Sequence, residues 1–140
     1  MPQPYKITAA LLLFLAACGE RHAPTKPATQ KTVLRFEVDS TGNIIDNHNG
    51  VKQQLKEIAI QADTKADKFI IYSYTEQMGS ALACKAVAKT QADAAKNFMM
   101  QFGGRVYYNI GIDLKGFEEP TDAAHPYAAS NRRIEIKPVE

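Results

Sequence analysis

The chain has 140 residues, with 17 basic and 15 acidic side chains, a formal net charge of +2, and 45% hydrophobic residues. That length holds one folded domain. Lys and Arg are interleaved with Asp and Glu, so the clustered positive stripe of a nucleic-acid surface is lacking and nucleic acid is not read as a partner.

The first segment reads as an export signal. Lys6 gives a weakly positive start, and Ile7 to Ala17 is almost unbroken apolar sequence. As a helix its eleven or so residues would span roughly 16 Å, about half the hydrocarbon core of a bilayer, which suits a signal peptide better than a membrane span. Ala16 and Ala17 precede Cys18, where a peptidase needs small side chains. Leu15-Ala16-Ala17-Cys18-Gly19 resembles a bacterial lipobox, in which the cysteine sulfur is acylated and becomes the new first residue. The alternative is an ordinary signal peptide with a chance cysteine. Each buried methylene is worth about 0.8 kcal/mol, so two or three acyl chains on Cys18 would hold the protein to a membrane without spanning it. Gly19, rather than Asp, after the cysteine implies the outer membrane, with the domain facing the periplasm. With Cys18 used for lipid, Cys84 is the one thiol left, and no intramolecular disulfide is available. Residues 1–17 are thus read as a signal peptide and 18–31 as a lipidated terminus and linker. The linker carries Pro24 and Pro27 and no large apolar residue, and reaches at most about 45 Å.

The domain occupies 32–140. Leu34, Phe36 and Val38 alternate with Arg35, Glu37 and Asp39, the period of a half-buried strand, and Thr41-Gly42-Asn43 breaks it. Val51, Leu55, Ile58, Ala59 and Ala62 fall on one face of a helix that follows an Asn-rich stretch able to cap it. Phe69 to Tyr74 is apolar on both faces, as a central strand should be. A second, Ala-rich helix is expected from about Ser80 to Phe102, with Gly103-Gly104 as its C-cap. Val106, Tyr108, Ile110 and Ile112 alternate as a third strand. After an irregular stretch with Pro120 and Pro126, Ile134 and Ile136 alternate with Arg133, Glu135 and Lys137 as a last strand. The order β-α-β-α-β-loop-β predicts an α+β fold, a mixed sheet with helices packed on it. Tyr72, Tyr74, Tyr107 and Tyr108 crowd two strands and are read as core, as are Met99 and Met100.

Three stretches carry a resemblance to one known family. Tyr74-Thr75-Glu76 followed by Gly79 is similar to its Thr-Asp-x-x-Gly turn. The second helix, from Ala83 through Ala92 to Met99, matches Asn-x-x-Leu-Ser-x-x-Arg-Ala in register. Gly116-Phe117-Glu118-Glu119-Pro120 and then Asn131-Arg132-Arg133-Ile134-Glu135-Ile136 resemble Gly-x-Gly-Glu-x-x-Pro and the closing Asn-Arg-Arg-Val-Glu-Ile. The family these stretches resemble is the OmpA C-terminal, peptidoglycan-associating one; the resemblance covers Thr32 to Lys137, and its closing motif is the specific one. It implies an OmpA-like β-α-β-α-β-β domain and a pocket for the diaminopimelate of the cell-wall peptide stem. That ligand end is a zwitterion. The Asp of the turn takes its ammonium, and the Arg of the second helix takes its carboxylate as a two-pronged, charge-assisted pair. Carried onto this chain, the Asp becomes Glu76, the Asn that opens the helix becomes Cys84, and the Arg becomes Gln91, while Arg132 and Arg133 are retained. The candidate peptidoglycan-binding residues are therefore Thr75, Glu76, Gln91, Asn131, Arg132 and Arg133.

Each has a plainer reading beside the functional one. Glu76 is also a solvated turn residue, and either arginine also serves structure. Cys84 is a reactive thiol or, as more lone cysteines on Ala-rich helices are, a small buried hydrophobe. His22, His48 and His125 lack zinc-ligand spacing, so no metal or other cofactor is expected. No Ser/His/Asp or Cys/His arrangement presents itself, Glu76 has no carboxylate partner, and the chain is not read as an enzyme. Two readings remain. One is an outer-membrane lipoprotein whose domain associates non-covalently with peptidoglycan. The other is a structural or interaction subunit of an envelope-spanning machine, with protein partners in the envelope. Membrane attachment is expected to depend on one sulfur: Cys18→Ala leaves the chain without acyl chains and uncut at that position. Mass spectrometry of the membrane fraction checks this, and an unlipidated wild-type N-terminus would refute it.

Overall fold

A computed structural model describes residues 32–46 and 50–140. The expected leader, Cys18 and linker lie outside these residues, as do 47–49, which hold much of the expected Asn-rich capping stretch. The elements in chain order are β1 (Leu34–Glu37), α1 (Val51–Thr64), β2 (Phe69–Tyr74), α2 (Ala81–Met100), the one-turn α3 (Val106–Asn109), β3 (Ile110–Gly116) and β4 (Arg133–Pro138), with a short 3-10 turn at Ala129–Asn131. They form the α+β architecture expected from the order of periods. The sheet runs β1-β4-β2-β3. Here β4 is antiparallel to both β1 and β2, and β2 is parallel to β3. The last strand of the chain is thus inserted between two earlier ones. Because β1, β2 and β3 run the same way, their C-terminal ends and the start of β4 meet at one edge of the sheet.

Alternation in the strands builds the core on the inner face. Leu34 and Phe36 of β1, Ile134 and Ile136 of β4, and Phe69 and Ile71 of β2 pack with Leu55, Ala59 and Ala62 of α1 and Ala92, Ala95 and Met99 of α2. Alanines on the buried face of α2 let its backbone approach the sheet closely. Among the described residues no helix is long and apolar enough to cross a membrane. The α1 terminus is served by Asp46, whose Oδ1 accepts from the Val51 amide at 3.0 Å and places negative charge at the positive end of the helix dipole. Ser80 caps α2, its Oγ accepting from the Ala83 amide at 3.2 Å.

Three expectations are corrected. Val106 to Tyr108 is not strand: one helical turn precedes β3, held by Asn109 Nδ2 donating to Ala62 O and Lys96 Nζ to Tyr107 O. Val106 and Ile110 are both buried, a pair that suits a helical turn as well as an alternating strand, so the period was ambiguous there. Tyr107 and Tyr108 are accordingly surface residues, the latter 81% exposed, and Met100 is exposed too. Gly103-Gly104 does not cap α2, which ends in a right-handed turn at Gln101. Gly103 serves clearance instead: a Cβ there would lie 2.2 Å from Asp63 Cγ, whose carboxylate accepts from the Arg105 amide. Arg133 and Glu135 are buried, since β4 lies between β1 and β2 and the loop carrying Glu119 packs on Arg133.

The turn after β1 is the tightest local structure. Asp39 accepts hydrogen bonds from the amides of Thr41 and Asn43 and from both their side chains. These, led by the Thr41 hydroxyl, hold its carboxyl well below the usual carboxylate range. The turn sets Gly42 at φ +87° against α2, where a Cβ would lie 3.2 Å from both Gln91 Cα and Thr90 O. Gly79 has φ +69° but open space around it. Gly79→Ala should therefore cost about 1–2 kcal/mol of left-handed strain. Gly42→Ala should add to that strain about 1 kcal/mol or more for overpacking, measured as the difference in urea midpoints.

Candidate functional site

The site edge of the sheet collects the turn Thr75–Gly79, the loop 117–131 and the start of β4. Thr75 is buried, and its amide donates to Gly116 O at 2.7 Å, which locks the turn to the end of β3. The Gln77 amide donates to Pro126 O, joining the turn to the long loop. Cys84, the first buried residue of α2, takes the Met78 amide on its Sγ at 3.3 Å, and the sulfur faces the carbonyls of Met78 and Glu76. It is a free, fully buried thiol, so the small-hydrophobe reading holds and the sulfur also braces the turn.

Glu76 is brought together with Arg132. Their Oε2 and Nε lie 3.4 Å apart, with side chains only 12% and 18% exposed. The pair is close enough to attract, yet Nε is not aligned to donate and has no hydrogen-bond acceptor among the described residues. Thr75 Oγ1 donates to the same Oε2 at 2.9 Å. At an effective dielectric near 20 the raw attraction is about 5 kcal/mol, and desolvation of two nearly buried ions offsets most of it.

Gln91 does not join them. Aligned with the carboxylate-binding Arg of the family pattern, it lies fully buried, with Ser73 Oγ donating to its Oε1 at 3.4 Å and its Nε2 without a hydrogen-bond partner among the described residues. The turn at Gly42 packs over the backbone at this position. A shorter, uncharged amide is held inside where the family pattern has a cation.

Asn131 is also buried, and its side chain is spent on the loop. Its Oδ1 accepts from the Asp122 amide at 2.8 Å, and its Nδ2 points at the carbonyls of Asp122, His125 and Pro126. It sets the loop rather than facing solvent. A hydrogen bond from His125 holds the Asp122 carboxyl below its ordinary range at the same corner.

Arg133 turns the other way from Arg132. It donates from Nε to Glu135 Oε1 at 2.8 Å and from Nη2 to Glu119 O at 2.8 Å, and its guanidinium stacks 3.8 Å from the centroid of Tyr74. Burial, with Glu135 and Glu119 nearby, pushes the Tyr74 hydroxyl up to about 12. Arg133 thus ties β4 to β2 and to the loop. Among the described residues no group of three His, Cys, Asp or Glu could hold a metal ion.

No protein-family model matches the chain, and no curated protein matches it. Solved structures do. The peptidoglycan-associated lipoprotein of Burkholderia pseudomallei matches 78% of this chain and 91% of its own, at 18% identity and a TM-score of 0.61. The OmpA-like domain of FopA1 from Francisella tularensis matches 76% of this chain and 73% of its own, at 15% identity and a TM-score of 0.59. The fold is that of OmpA-like domains. The C-terminal domain of Helicobacter pylori MotB shares it, over 77% of this chain and 85% of its own, at 16% identity and a TM-score of 0.57. In this OmpA-like domain the expected turn, second helix and closing Asn-Arg-Arg stand around one edge of the sheet, and of the candidate residues Glu76 and Arg132 meet there as an ion pair.

Sequence reasoning missed the Ser73–Gln91 contact, whose one signal is a lone polar residue, Gln91, on the Ala-rich face of α2. Replacing both buried partners by apolar groups is nearly neutral or stabilising when shape is kept, whereas removing one strands the other. The double variant Ser73→Ala/Gln91→Met should therefore match or exceed wild type in urea stability. Ser73→Ala alone should lose about 1–2 kcal/mol, and equal losses in both would contradict this account.

Proposed function

We propose that this chain is an outer-membrane lipoprotein, anchored through lipid on Cys18, whose periplasmic OmpA-like domain associates non-covalently with peptidoglycan. The observation that carries the reading is the shielded Glu76–Arg132 pair at the strand-end edge of this fold. A zwitterionic stem-peptide end can enter by exchange. Its ammonium takes Glu76, and the freed guanidinium, whose Nε lacks an acceptor among the described residues, takes its carboxylate. One misaligned pair is replaced by two charge-assisted ones, with the cation supplied from Arg132, just before β4, instead of from α2. Thr75 supports the carboxylate through its hydroxyl. Asn131 and Arg133 hold the loop and strand that present Arg132.

A second reading, a structural or interaction subunit of an envelope-spanning machine, is favoured by the sealed Gln91 and by Cys84 standing where the family pattern has an amide. On that reading the Glu76–Arg132 pair is a fixed strut. Co-sedimentation of the full chain with purified peptidoglycan separates the two. If the wall reading holds, wild type sediments, and Glu76→Gln and Arg132→Gln each weaken binding by about tenfold or more. A wild type that stays in the supernatant removes the wall reading and leaves the subunit. Firm binding that ignores both substitutions removes Glu76 and Arg132 from the contact.

A further inference from the structure

Neighbouring residues on a strand face opposite ways, and the side of β4 to which Arg133 turns holds a second concavity. A cleft of about 340 Å³ lies between β1 and the loop 117–131, lined by Arg35, Phe36, Glu37, Ile45, Val51, Thr121, Ser130 and Arg133. Neither Glu76 nor Arg132 reaches it.

Its charges are left unequally matched. Arg35 Nη2 donates to Thr121 Oγ1 at 2.7 Å, which fixes the guanidinium against the loop, yet its side chain is 50% exposed. Its Nη1 stands 3.9 Å from Glu135, too far for a hydrogen bond, and that carboxylate is already shared with Arg133 at 2.8 Å and Lys137 at 3.7 Å. Arg133 keeps Nη1 buried without an acceptor among the described residues. Glu37 stands opposite Arg133 in the β1–β4 register, but Arg133 is committed elsewhere. Among the described residues the Glu37 carboxylate has no hydrogen bond or ion pair. The cleft thus offers donors from Arg35 and positive charge from Arg133 at one point. It offers a carboxylate with no partner among the described residues two residues along the strand, and apolar lining from Ile45 and Val51.

We propose that this cleft binds a small α-amino acid with an aliphatic side chain. The carboxylate of the ligand is taken by Arg35 in a charge-assisted pair beside the Thr121 hydroxyl. Its ammonium is taken by Glu37, and its side chain lies against Ile45 and Val51. A carboxylate without an ammonium meets Glu37 as a repelling neighbour, and an amine without a carboxylate leaves Arg35 unanswered. The site is independent of Glu76 and of wall association.

The test is a nuclear magnetic resonance titration of the full chain in detergent micelles, with isotope-labelled arginine and backbone. Leucine is the probe, and isocaproate, isoamylamine and inorganic phosphate are its partial mimics. Leucine should give a saturable shift of the Arg35 side chain and of the Thr121 and Ser130 amides. Isocaproate should bind about tenfold more weakly, since a lost charge-assisted contact is worth roughly one decade. Arg35→Gln should abolish the leucine shifts, while Glu37→Gln should remove the preference of leucine over isocaproate and leave the fold intact. Glu76→Gln should change nothing at this site. Shifts that rise without saturation or persist in Arg35→Gln overturn the proposal, as does equal binding of leucine and isocaproate by wild type. Phosphate binding more tightly than leucine overturns it as well.

Discussion

The structure turns on two opposite charges enclosed in the middle of a sheet. Arg133 and Glu135 sit on β4, two residues apart on the same face, with strands on both sides. Neither ion is tolerable there alone, since an unpaired buried charge costs several kcal/mol. They neutralise each other, and each then reaches outward. Glu135 draws in Arg35 from β1 and Lys137 from its own strand, while Arg133 stacks on Tyr74 of β2 and holds the Glu119 carbonyl of the loop. One pair therefore sets the relation of β1, β4, β2 and the loop. A hydrophobic replacement could be as stable, but it would not single out this position of the loop.

From that fixed loop the two ends of function follow. Asn131 gathers the backbone from Asp122 to Pro126, and the chain enters β4 with Arg132 and Arg133 on opposite sides. Arg132 meets Glu76 at the turn after β2, and Arg133 borders the cleft beside β1. Two consecutive arginines that look alike in sequence are divided by the pleat between a shielded ion pair and a structural hub. The substitutions around the turn fit the same division. Cys84 satisfies the Met78 amide and so keeps the turn closed, and Gln91 is withdrawn beneath the Gly42 turn. A cation retained on the strand side is what keeps Glu76 in a charged environment.

The outer face of the sheet shows the same economy of charge. Tyr72 lies between the ammonium groups of Lys115, 5.4 Å from its ring centroid, and Lys137, at 4.9 Å. Lys115 also pairs with Asp113, whose hydrogen bond raises the ammonium above its ordinary range. Cation–π contacts of this kind are worth about 0.5–1 kcal/mol at exposed positions. They cover an aromatic face that no helix among the described residues covers.

The sequence by itself determined most of the elements, the helical turn at Val106–Asn109 excepted. Periods of two at Leu34–Val38 and Ile134–Ile136, a helical face from Val51 to Ala62, and an Ala-rich helix after Ser80 are local properties, set by which side chains can share one surface. The closing Asn131-Arg132-Arg133 run was legible for the same reason, as a contiguous pattern. Neighbours in space are not local, and these only the tertiary structure decided. The alternation of Arg133 and Glu135 reads as half-exposed until β4 is seen between β1 and β2. Gln91 aligns with a ligand-facing position until the turn at Gly42 is seen lying over it. Whether a charge faces solvent, a partner or a ligand depends on groups that arrive from distant parts of the chain, and period carries no record of them.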